Sequence, residues 1–179
     1  MELLKNTLST IKPADKKAKE TAKLKWDSLV KPLGSLGTLE DLGIKIAGIT
    51  GKIDNKMGKR AVVVMSSDNG VFEEGVASSP QEFTAILTES MAKGITGVAT
   101  LAKFVNAEIV TVDIGLKSDF SHENVINKKI AYGTKNFTKE PAMTYEEAVK
   151  SIEIGIEIGD KLYSEGYDIL GTGELGIGN

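Results

Sequence analysis

The chain has 179 residues, enough for a domain with a buried core, and it contains no cysteine, which excludes disulfides and thiolate chemistry. Its net charge of −3 is unevenly spread, with 13 Lys and Arg against 7 Asp and Glu in residues 1–60 and 9 against 18 in the remainder. The early lysines are interleaved with Ala and Glu as on a solvated helix face, and Trp26 is the only aromatic residue among them, so we expect no nucleic-acid binding. No signal peptide or membrane-length apolar run is present, which predicts a soluble, cytoplasmic protein without membrane contact.

Residues 1–59 predict an N-terminal helical segment. A short helix is expected over residues 2–11, a second over 13–30, and a third from Leu39 onward, after the break at Pro32 and Gly34. The apolar residues expected to face the core of the last two helices are Ala18, Ala22, Trp26 and Leu29, then Leu39, Leu42, Ile46 and Ile49.

The stretch from Ala61 to Gln81 contains the predicted central strand. Residues 61–65 are apolar without alternation, which indicates a strand buried on both faces. A polar loop follows, and Ser79, Pro80 and Glu82 fit the N-cap, first helical position and capping-box partner of the next helix. Since ligands of open α/β sheets bind beyond the carboxyl ends of the strands, this loop is a candidate site wall, with an ordinary solvated loop as the alternative.

Two helices are predicted after this loop, separated by Gly94 and Gly97. Their expected apolar faces carry Phe83, Ile86, Leu87 and Met91, then Val98, Leu101 and Val105.

The second half of the chain predicts further strands and a long helix. Residues 109–114 form a strand that ends at Asp113, and residues 127–132 form a weaker one. A capping box at residues 144–147 opens a helix that ends at Gly166, and a short strand follows over residues 167–170.

Strands separated by helices of this length predict an α/β fold with a parallel sheet over residues 60–179. The strand exits at Asp68, Asp113 and Gly171 should then lie along one edge of the sheet. No internal repeat is present.

The segment from Gly171 to Asn179 has the spacing Gly-x-Gly-x-x-Gly of dinucleotide-binding turns. That interpretation also requires a following helix and an acidic residue about 20 positions on, so a glycine turn that binds phosphate, or one without any ligand, are alternatives. Glu174 in such an apolar turn would be poorly solvated, which would raise its pKa and suit it to proton transfer. A ribose contact or a plain surface carboxylate are the alternatives for Glu174.

The remaining polar residues do not predict a metal or a cofactor. His122, the only histidine, lies in a polar run typical of a solvated loop, so a zinc site or a triad finds little support. Asp68, Glu73 and Glu74 do not have the spacing of a calcium loop.

Several segments together resemble the nicotinate-nucleotide:dimethylbenzimidazole phosphoribosyltransferases of cobamide (vitamin B12) synthesis. They occur in the family's order along the whole chain, at residues 31–40, 68–71, 74–76, 79–80, 112–115, 141–143 and 173–179. The resemblance implies a Rossmann-like α/β subunit, usually a homodimer, that transfers phosphoribose from nicotinate mononucleotide to an aromatic base.

The resemblance also implies the site residues. Glu174 is expected beside the reacting carbon, either assisting the base or stabilising the developing cation. Gly176, Gly178 and Asn179 are expected to hold the phosphate, and Ser79 and Leu175 to contact the acceptor base. The full set of implied substrate-binding residues is Ser79, Pro80, Leu87, Asp113, Gly115, Leu175, Gly176, Gly178 and Asn179.

Two departures from the family pattern affect the expected chemistry. Asn69 stands where the family commonly has a histidine, and Leu87 stands where many members have a glutamine that bonds the acceptor. The second change predicts a less polar pocket and a relaxed or altered acceptor choice, including phenolic acceptors.

Family members are about twice as long as this chain, and their main catalytic base is expected in the other half. We therefore expect residues 1–179 alone to be inactive and to associate, either as a homodimer or with the missing C-terminal half. The alternative functions are a nicotinamide-dinucleotide oxidoreductase and a nucleotide-binding module without catalysis.

Overall fold

The computed structural model describes all residues, 1–179. The chain divides into two compact units, one of residues 7–57 and the other of residues 1–6 with 58–179. No helix in the structure combines the length and apolar character needed to cross a membrane.

Three helices precede the sheet: α1 (Glu2–Thr10), α2 (Lys16–Asp27) and α3 (Thr38–Thr50). Asp15 caps α2 by accepting from the Ala18 N–H at 2.9 Å, and its own N–H donates to the carbonyl of Gly48 on α3 at 2.7 Å. Gly43 lies so close to Trp26 that a Cβ there would be 2.8 Å from the indole Nε1. The packing role predicted for Trp26 is confirmed.

The predicted apolar face of α3 is wrong. Leu39, Leu42 and Ile49 are exposed, whereas Ala47 and Gly48 are buried. Small residues on the inner face let α2 and α3 approach closely, and helical spacing alone does not reveal which of two apolar faces is buried.

An ion pair closes the turn between α2 and α3. Lys31 Nζ lies 2.8 Å from Glu40 Oε1, and both side chains are largely buried, with exposed fractions of 13% and 9%. The Leu36 N–H donates to the same oxygen at 3.0 Å. The hydrogen bond from Lys31, followed by that from Leu36, lowers the pKa of Glu40 below its ordinary value of 4.5.

We expect the turn at residues 31–37 to open only in acid. Because the pKa of Glu40 is lower in the folded state, its stabilisation is complete above pH 4.5 and is lost as the pH falls through the lowered value. Hydrogen exchange of the Leu36 amide, measured by NMR from pH 7 downward and divided by the intrinsic rate at each pH, should accelerate only in that acidic range. Glu40→Gln should accelerate it at neutral pH, while exposed Asp41→Asn in the same helical turn should not. Equal exchange in both variants would contradict this role of Glu40.

Four parallel strands form the sheet of the second unit: β1 (Lys59–Ser67), β2 (Ala107–Gly115), β3 (Val125–Asn127) and β4 (Tyr167–Leu175). Their spatial order is β3-β2-β1-β4, so β1 is internal and β4 lies at one margin. The predicted parallel α/β sheet and its buried central strand are confirmed.

The predicted third strand is displaced. The sequence predicts it at residues 127–132, but the regular ladder covers only residues 125–127. Beyond it, the N–H groups of Lys128 and Ile130 still donate to the carbonyls of Asp113 and Ile114, at 2.8 and 3.0 Å. Residues 128–130 therefore lie beside β2 without regular strand geometry.

Helices cover both faces of the sheet. After β1 come a 3₁₀ turn (Gly70–Glu74), α4 (Phe83–Ala92) and α5 (Gly97–Phe104), and α6 (Tyr145–Ser164) precedes β4. The predicted break between α4 and α5 is confirmed. The capping box of α6 is also confirmed, because Thr144 and Glu147 each accept from the other's backbone N–H, at 3.1 and 2.7 Å.

The two helical layers differ in what they bury. Ile154 and Ile158 of α6 pack with Val63 and Val112 in the main apolar core. Helices α4 and α5 pack on the opposite face, against β1 and β2, through small side chains. Those buried side chains are Thr84, Thr88, Ala99 and Ala102, with Met91.

The apolar faces predicted for α4 and α5 are therefore largely wrong. Phe83, Ile86, Leu101 and Val105 are exposed. Of the residues expected in the core, only Met91 is fully buried.

Candidate functional site

The crevice beyond the carboxyl ends of β1 and β4 is the topological switch point of the sheet. The chain leaves β1 through α4 and α5 on one face and reaches β4 through α6 on the other. Loops that diverge to opposite faces leave an opening between neighbouring strands, and ligands of open α/β sheets bind there. The walls of this crevice are the loop after β1 and the segment after β4.

The segment after β4, residues 176–179, is packed against the loop after β1. A Cβ on Gly176 would lie 2.4 Å from the carbonyl oxygen of Ser67 and 2.7 Å from Asn69 Nδ2. Gly178 has a φ of +92°, and a Cβ on it would lie 3.5 Å from the N and Cα of Phe72. Both positions therefore require glycine, the first because of close approach and the second because of its left-handed backbone.

The interpretation of Gly171 to Gly176 as a dinucleotide-binding turn is wrong. Gly171 and Gly173 lie inside β4, opposite Val62 and Val64 of β1, and the strand does not end until Leu175. A Cβ on Gly173 would be 3.3 Å from Val64 Cγ2. These glycines give close strand packing, and the turn begins only at Gly176, so Gly171 is not a strand exit.

Glu174 is exposed, which contradicts the expectation of a poorly solvated carboxylate. It is the penultimate residue of β4 and pairs with Met65 of β1. Its Oε2 accepts a hydrogen bond from Asn179 Nδ2, which links the carboxylate to the end of the segment 176–179. Because side chains alternate along a strand, Glu174 shares the α6 face with Met65.

Asp113 lies on the opposite face and is fully buried. Its Oδ1 accepts from the N–H groups of Gly115 and Leu116, at 3.0 and 2.9 Å. Lys129 Nζ lies 3.5 Å from Oδ2 and donates to the Leu116 carbonyl at 2.8 Å. In this structure Asp113 shapes the turn after β2, and its side chain does not converge with that of Glu174.

The loops after β1 and β2 are tied together. Buried Asp68 accepts from the Lys117 N–H at 2.7 Å, and Lys117 Nζ lies 3.3 Å from Gln81 Oε1. Gln81 Nε2 in turn donates to the carbonyl of Asn69 at 3.0 Å. Sequence reasoning found Asp68 but missed Lys117 and Gln81, since neither belongs to a local motif.

The start of α4 differs from the predicted one. The helix begins at Phe83, and Glu82 precedes it without a side-chain capping bond, so Ser79 is not the N-cap and Pro80 is not the first helical residue. The Phe83 N–H donates instead to the Pro80 carbonyl at 3.1 Å, which forms a turn before the helix. Ser79 is half-buried and Pro80 exposed, while Leu87 on α4 is half-buried.

Residues 132–140 form a further wall beside the loop after β1, around a cavity of about 290 Å³. Lys139 Nζ donates a hydrogen bond to Glu73 at 2.9 Å, and this bond lowers the pKa of Glu73. Asn136 Nδ2 donates to Glu74 at 2.6 Å and is the main cause of the lowered pKa of Glu74. Both carboxylates thus serve as anchors for this wall. No sequence signal pointed to it, because its contacts join residues more than 60 positions apart.

A second cavity, of about 400 Å³, lies on the α6 side of the strand ends. Its lining includes Ser67, Gly115, Met143 and Ser151. Of the predicted site residues only Gly115 lines it, whereas Gly176 and Gly178 lie against the loop after β1.

Comparisons with known proteins agree with the motifs. A family model described as a phosphoribosyltransferase matches residues 11–179. A relative from Clostridium tetani (strain Massachusetts / E88) is 57% identical over 179 residues, which are 100% of this chain and 49% of the relative. A relative from Clostridium perfringens (strain 13 / Type A) is 54% identical over 177 residues, which are 99% of this chain and 49% of the relative. Both are named nicotinate-nucleotide–dimethylbenzimidazole phosphoribosyltransferase.

A crystal structure of the Thermus thermophilus protein of that name gives a TM-score of 0.88 at 32% identity, covering 92% of this chain and 50% of that one. The chain thus spans about half the length of the curated relatives that it matches. The resemblance predicted from the motifs is confirmed. With 169 of its 179 residues inside the family model, from residue 11 to residue 179, the chain belongs to this family of phosphoribosyltransferases.

Proposed function

We propose that this chain contributes to the transfer of phosphoribose from nicotinate mononucleotide to 5,6-dimethylbenzimidazole or a related aromatic base, in cobalamin nucleotide-loop synthesis. The products are α-ribazole 5′-phosphate and nicotinate. The observation that carries the proposal is the 57% identity to the Clostridium tetani relative along all 179 residues. The glycine-containing turn at residues 176–179, beyond the carboxyl end of β4, supports it, because a nucleotide phosphate needs close approach to backbone N–H groups.

In the proposed reaction the bond between C1′ and the pyridinium nitrogen breaks, and its electron pair neutralises that nitrogen. The leaving nicotinate therefore needs no acid. The acceptor nitrogen forms the new bond to C1′ and loses its proton to a base. Glu174, exposed beside residues 176–179, is proposed to assist this proton transfer or to stabilise positive charge at C1′.

The substrate contacts are assigned as follows in this proposal. Gly176, Gly178 and Asn179 hold the phosphate, and Ser79, Pro80, Leu87 and Leu175 face the acceptor base. Asp113 and Gly115 shape the neighbouring strand exit.

We further propose that the active assembly is cytoplasmic and needs more than residues 1–179. The chain spans about half the length of its curated relatives, and the outer side of β4 pairs with no strand in this structure. The missing wall would come from the polypeptide that corresponds to the rest of those relatives, and a homodimer is the proposed state of the complete enzyme.

The test compares the purified chain with a fusion of this chain to the remaining half of the Clostridium tetani relative. Chromatography of released nicotinate should show turnover by the fusion and none by the chain alone. In the fusion, Glu174→Gln should lower the rate by about 100-fold or more while nucleotide binding is retained. Asp160→Asn, an exposed carboxylate on α6, is the matched control and should not change the rate.

The same assay with different acceptors tests the effect of Leu87. Turnover should be comparable with dimethylbenzimidazole, unsubstituted benzimidazole and a phenol, because an apolar side chain at this position does not select a hydrogen-bonding acceptor. Strict preference for dimethylbenzimidazole would refute relaxed acceptor choice. A folded fusion that binds nicotinate mononucleotide but transfers to no acceptor would overturn the proposed function, and full activity of the chain alone would overturn its incompleteness.

A further inference from the structure

The buried face of α4 carries two hydroxyls that differ in what they bond. Thr84 and Thr88 are both fully buried. Thr88 Oγ1 donates to the Thr84 carbonyl at 2.7 Å, a bond within the helix. Thr84 Oγ1 instead accepts from the N–H of Ile177, 93 positions later in the chain, at 3.1 Å.

Ile177 is the centre of the turn that follows β4. Gly176 before it is held against the Ser67 carbonyl and Asn69, and Gly178 after it has a left-handed backbone. The Asn179 N–H donates back to the Gly176 carbonyl at 3.2 Å and closes the turn. The bond from Ile177 to Thr84 thus attaches the middle of this turn to the first turn of α4.

The residues just before α4 also contact the loop after β1. The Thr84 N–H donates to the Gln81 carbonyl at 3.0 Å, and Gln81 Nε2 donates to the Asn69 carbonyl at 3.0 Å. Thr84 therefore bonds both walls of the crevice: its hydroxyl accepts from the segment after β4, and its N–H donates to the loop after β1.

We infer that Thr84 is a positioning residue for the turn at residues 176–179. The inference rests on the proposed function, in which this turn holds the phosphate of nicotinate mononucleotide. By accepting from Ile177, the hydroxyl fixes the middle of the turn that carries the Gly178 N–H and the Asn179 side chain. Thr84 acts through Ile177 and does not touch the substrate itself.

Three variants of the chain test this inference. Thr84→Val keeps the shape of the side chain and removes the acceptor, Thr84→Ser keeps the acceptor, and Thr88→Val removes the neighbouring, equally buried hydroxyl as a matched control. Hydrogen exchange of the Ile177 amide should be roughly 10-fold faster in Thr84→Val, as expected for the loss of one hydrogen bond. Thr84→Ser and Thr88→Val should retain the slow exchange of the original chain.

Titration with nicotinate mononucleotide measures the effect on the ligand. It is carried out on the fusion of this chain to the remaining half of the Clostridium tetani relative and followed on the amides of residues 176–179. Thr84→Val should need roughly 10-fold more nucleotide for half-saturation, with Thr84→Ser and Thr88→Val unchanged. Unaltered exchange of Ile177 in Thr84→Val, or altered exchange with an unaltered titration, would overturn the inference. If the unsubstituted fusion shows no response to the nucleotide, the phosphate role proposed for residues 176–179 is overturned, and the Ile177 exchange still decides whether Thr84 holds the turn.

Discussion

Replacement of Gly70 by alanine is expected to destabilise the α/β unit by about 3 kcal/mol, at the upper end of the usual cost of overpacking. A Cβ at Gly70 would lie 2.4 Å from the carbonyl carbon of Lys135, 2.5 Å from the Thr134 oxygen and 2.6 Å from the Asn136 nitrogen. All three are backbone atoms, so no side-chain rotation relieves the clash. The midpoint of urea unfolding should fall accordingly.

The backbone that would have to move is held on both sides. The Thr134 N–H donates to the Asp68 carbonyl at 2.9 Å, and the Lys135 N–H to that of Ala142 at 2.8 Å. The control is Gly155→Ala on α6, where nothing lies within 4 Å of the new methyl group. That change should raise stability by about 0.5–1 kcal/mol, because alanine is the better helix former. An unchanged midpoint for Gly70→Ala would contradict the close approach seen here.

Replacement of Asp113 by alanine is expected to lower the free energy of unfolding by about 3 kcal/mol, the lower end of the range for breaking a buried ion pair. It would leave the N–H groups of Gly115 and Leu116 without their acceptor and Lys129 without its nearest carboxylate. Asp113→Asn should cost less, since its amide oxygen still accepts from the turn.

Asp160→Ala serves as the control, because this exposed carboxylate should change stability by less than about 0.5 kcal/mol. Thermal or denaturant unfolding of the three variants gives the comparison. Wild-type stability of Asp113→Ala, together with a loss of nucleotide binding, would show that the side chain contacts substrate and does not support the turn.

The central strand and the start of α6 were predictable because they depend on local patterns. The uninterrupted apolar run at residues 61–65 indicated a strand covered on both faces, and β1 lies between β2 and β4 with α4 on one face and α6 on the other. The capping box at Thr144 and Glu147 needs no tertiary context, since both partners lie within four residues.

The buried faces of α3, α4 and α5 were not predictable from hydrophobicity. In each helix a stripe of large apolar residues and a stripe of small residues run side by side, and the stripe of small residues is the buried one. Close packing against a neighbour favoured Ala, Gly and Thr, which a scale of hydrophobicity ranks below Leu and Ile. Thr84 and Thr88 illustrate the point, because hydrogen bonding satisfies one hydroxyl inside the helix and the other across the site.

Within the site, the sequence pointed to the glycines but did not show which of them lie in the strand and which in the turn. The spacing from Gly171 to Gly176 predicted one turn, whereas strand pairing extends to Leu175 and leaves only the last glycines free to turn. No local pattern predicted Lys129, which lies 3.5 Å from Asp113, or the wall around Thr134 and Asn136. Both depend on contacts between segments that are distant in the sequence.

Because β4 is an edge strand, its direction limits how the sheet can be extended. A strand contributed by another βαβ unit would run parallel to β4 and leave the crevice between β1 and β4 near the middle of a wider sheet. Two copies joined edge to edge by a two-fold axis would instead pair their β4 strands antiparallel, since only that direction lets identical edges exchange hydrogen bonds symmetrically. Strand polarity at this edge, read from cross-strand nuclear Overhauser effects, therefore distinguishes completion of the fold from simple self-association.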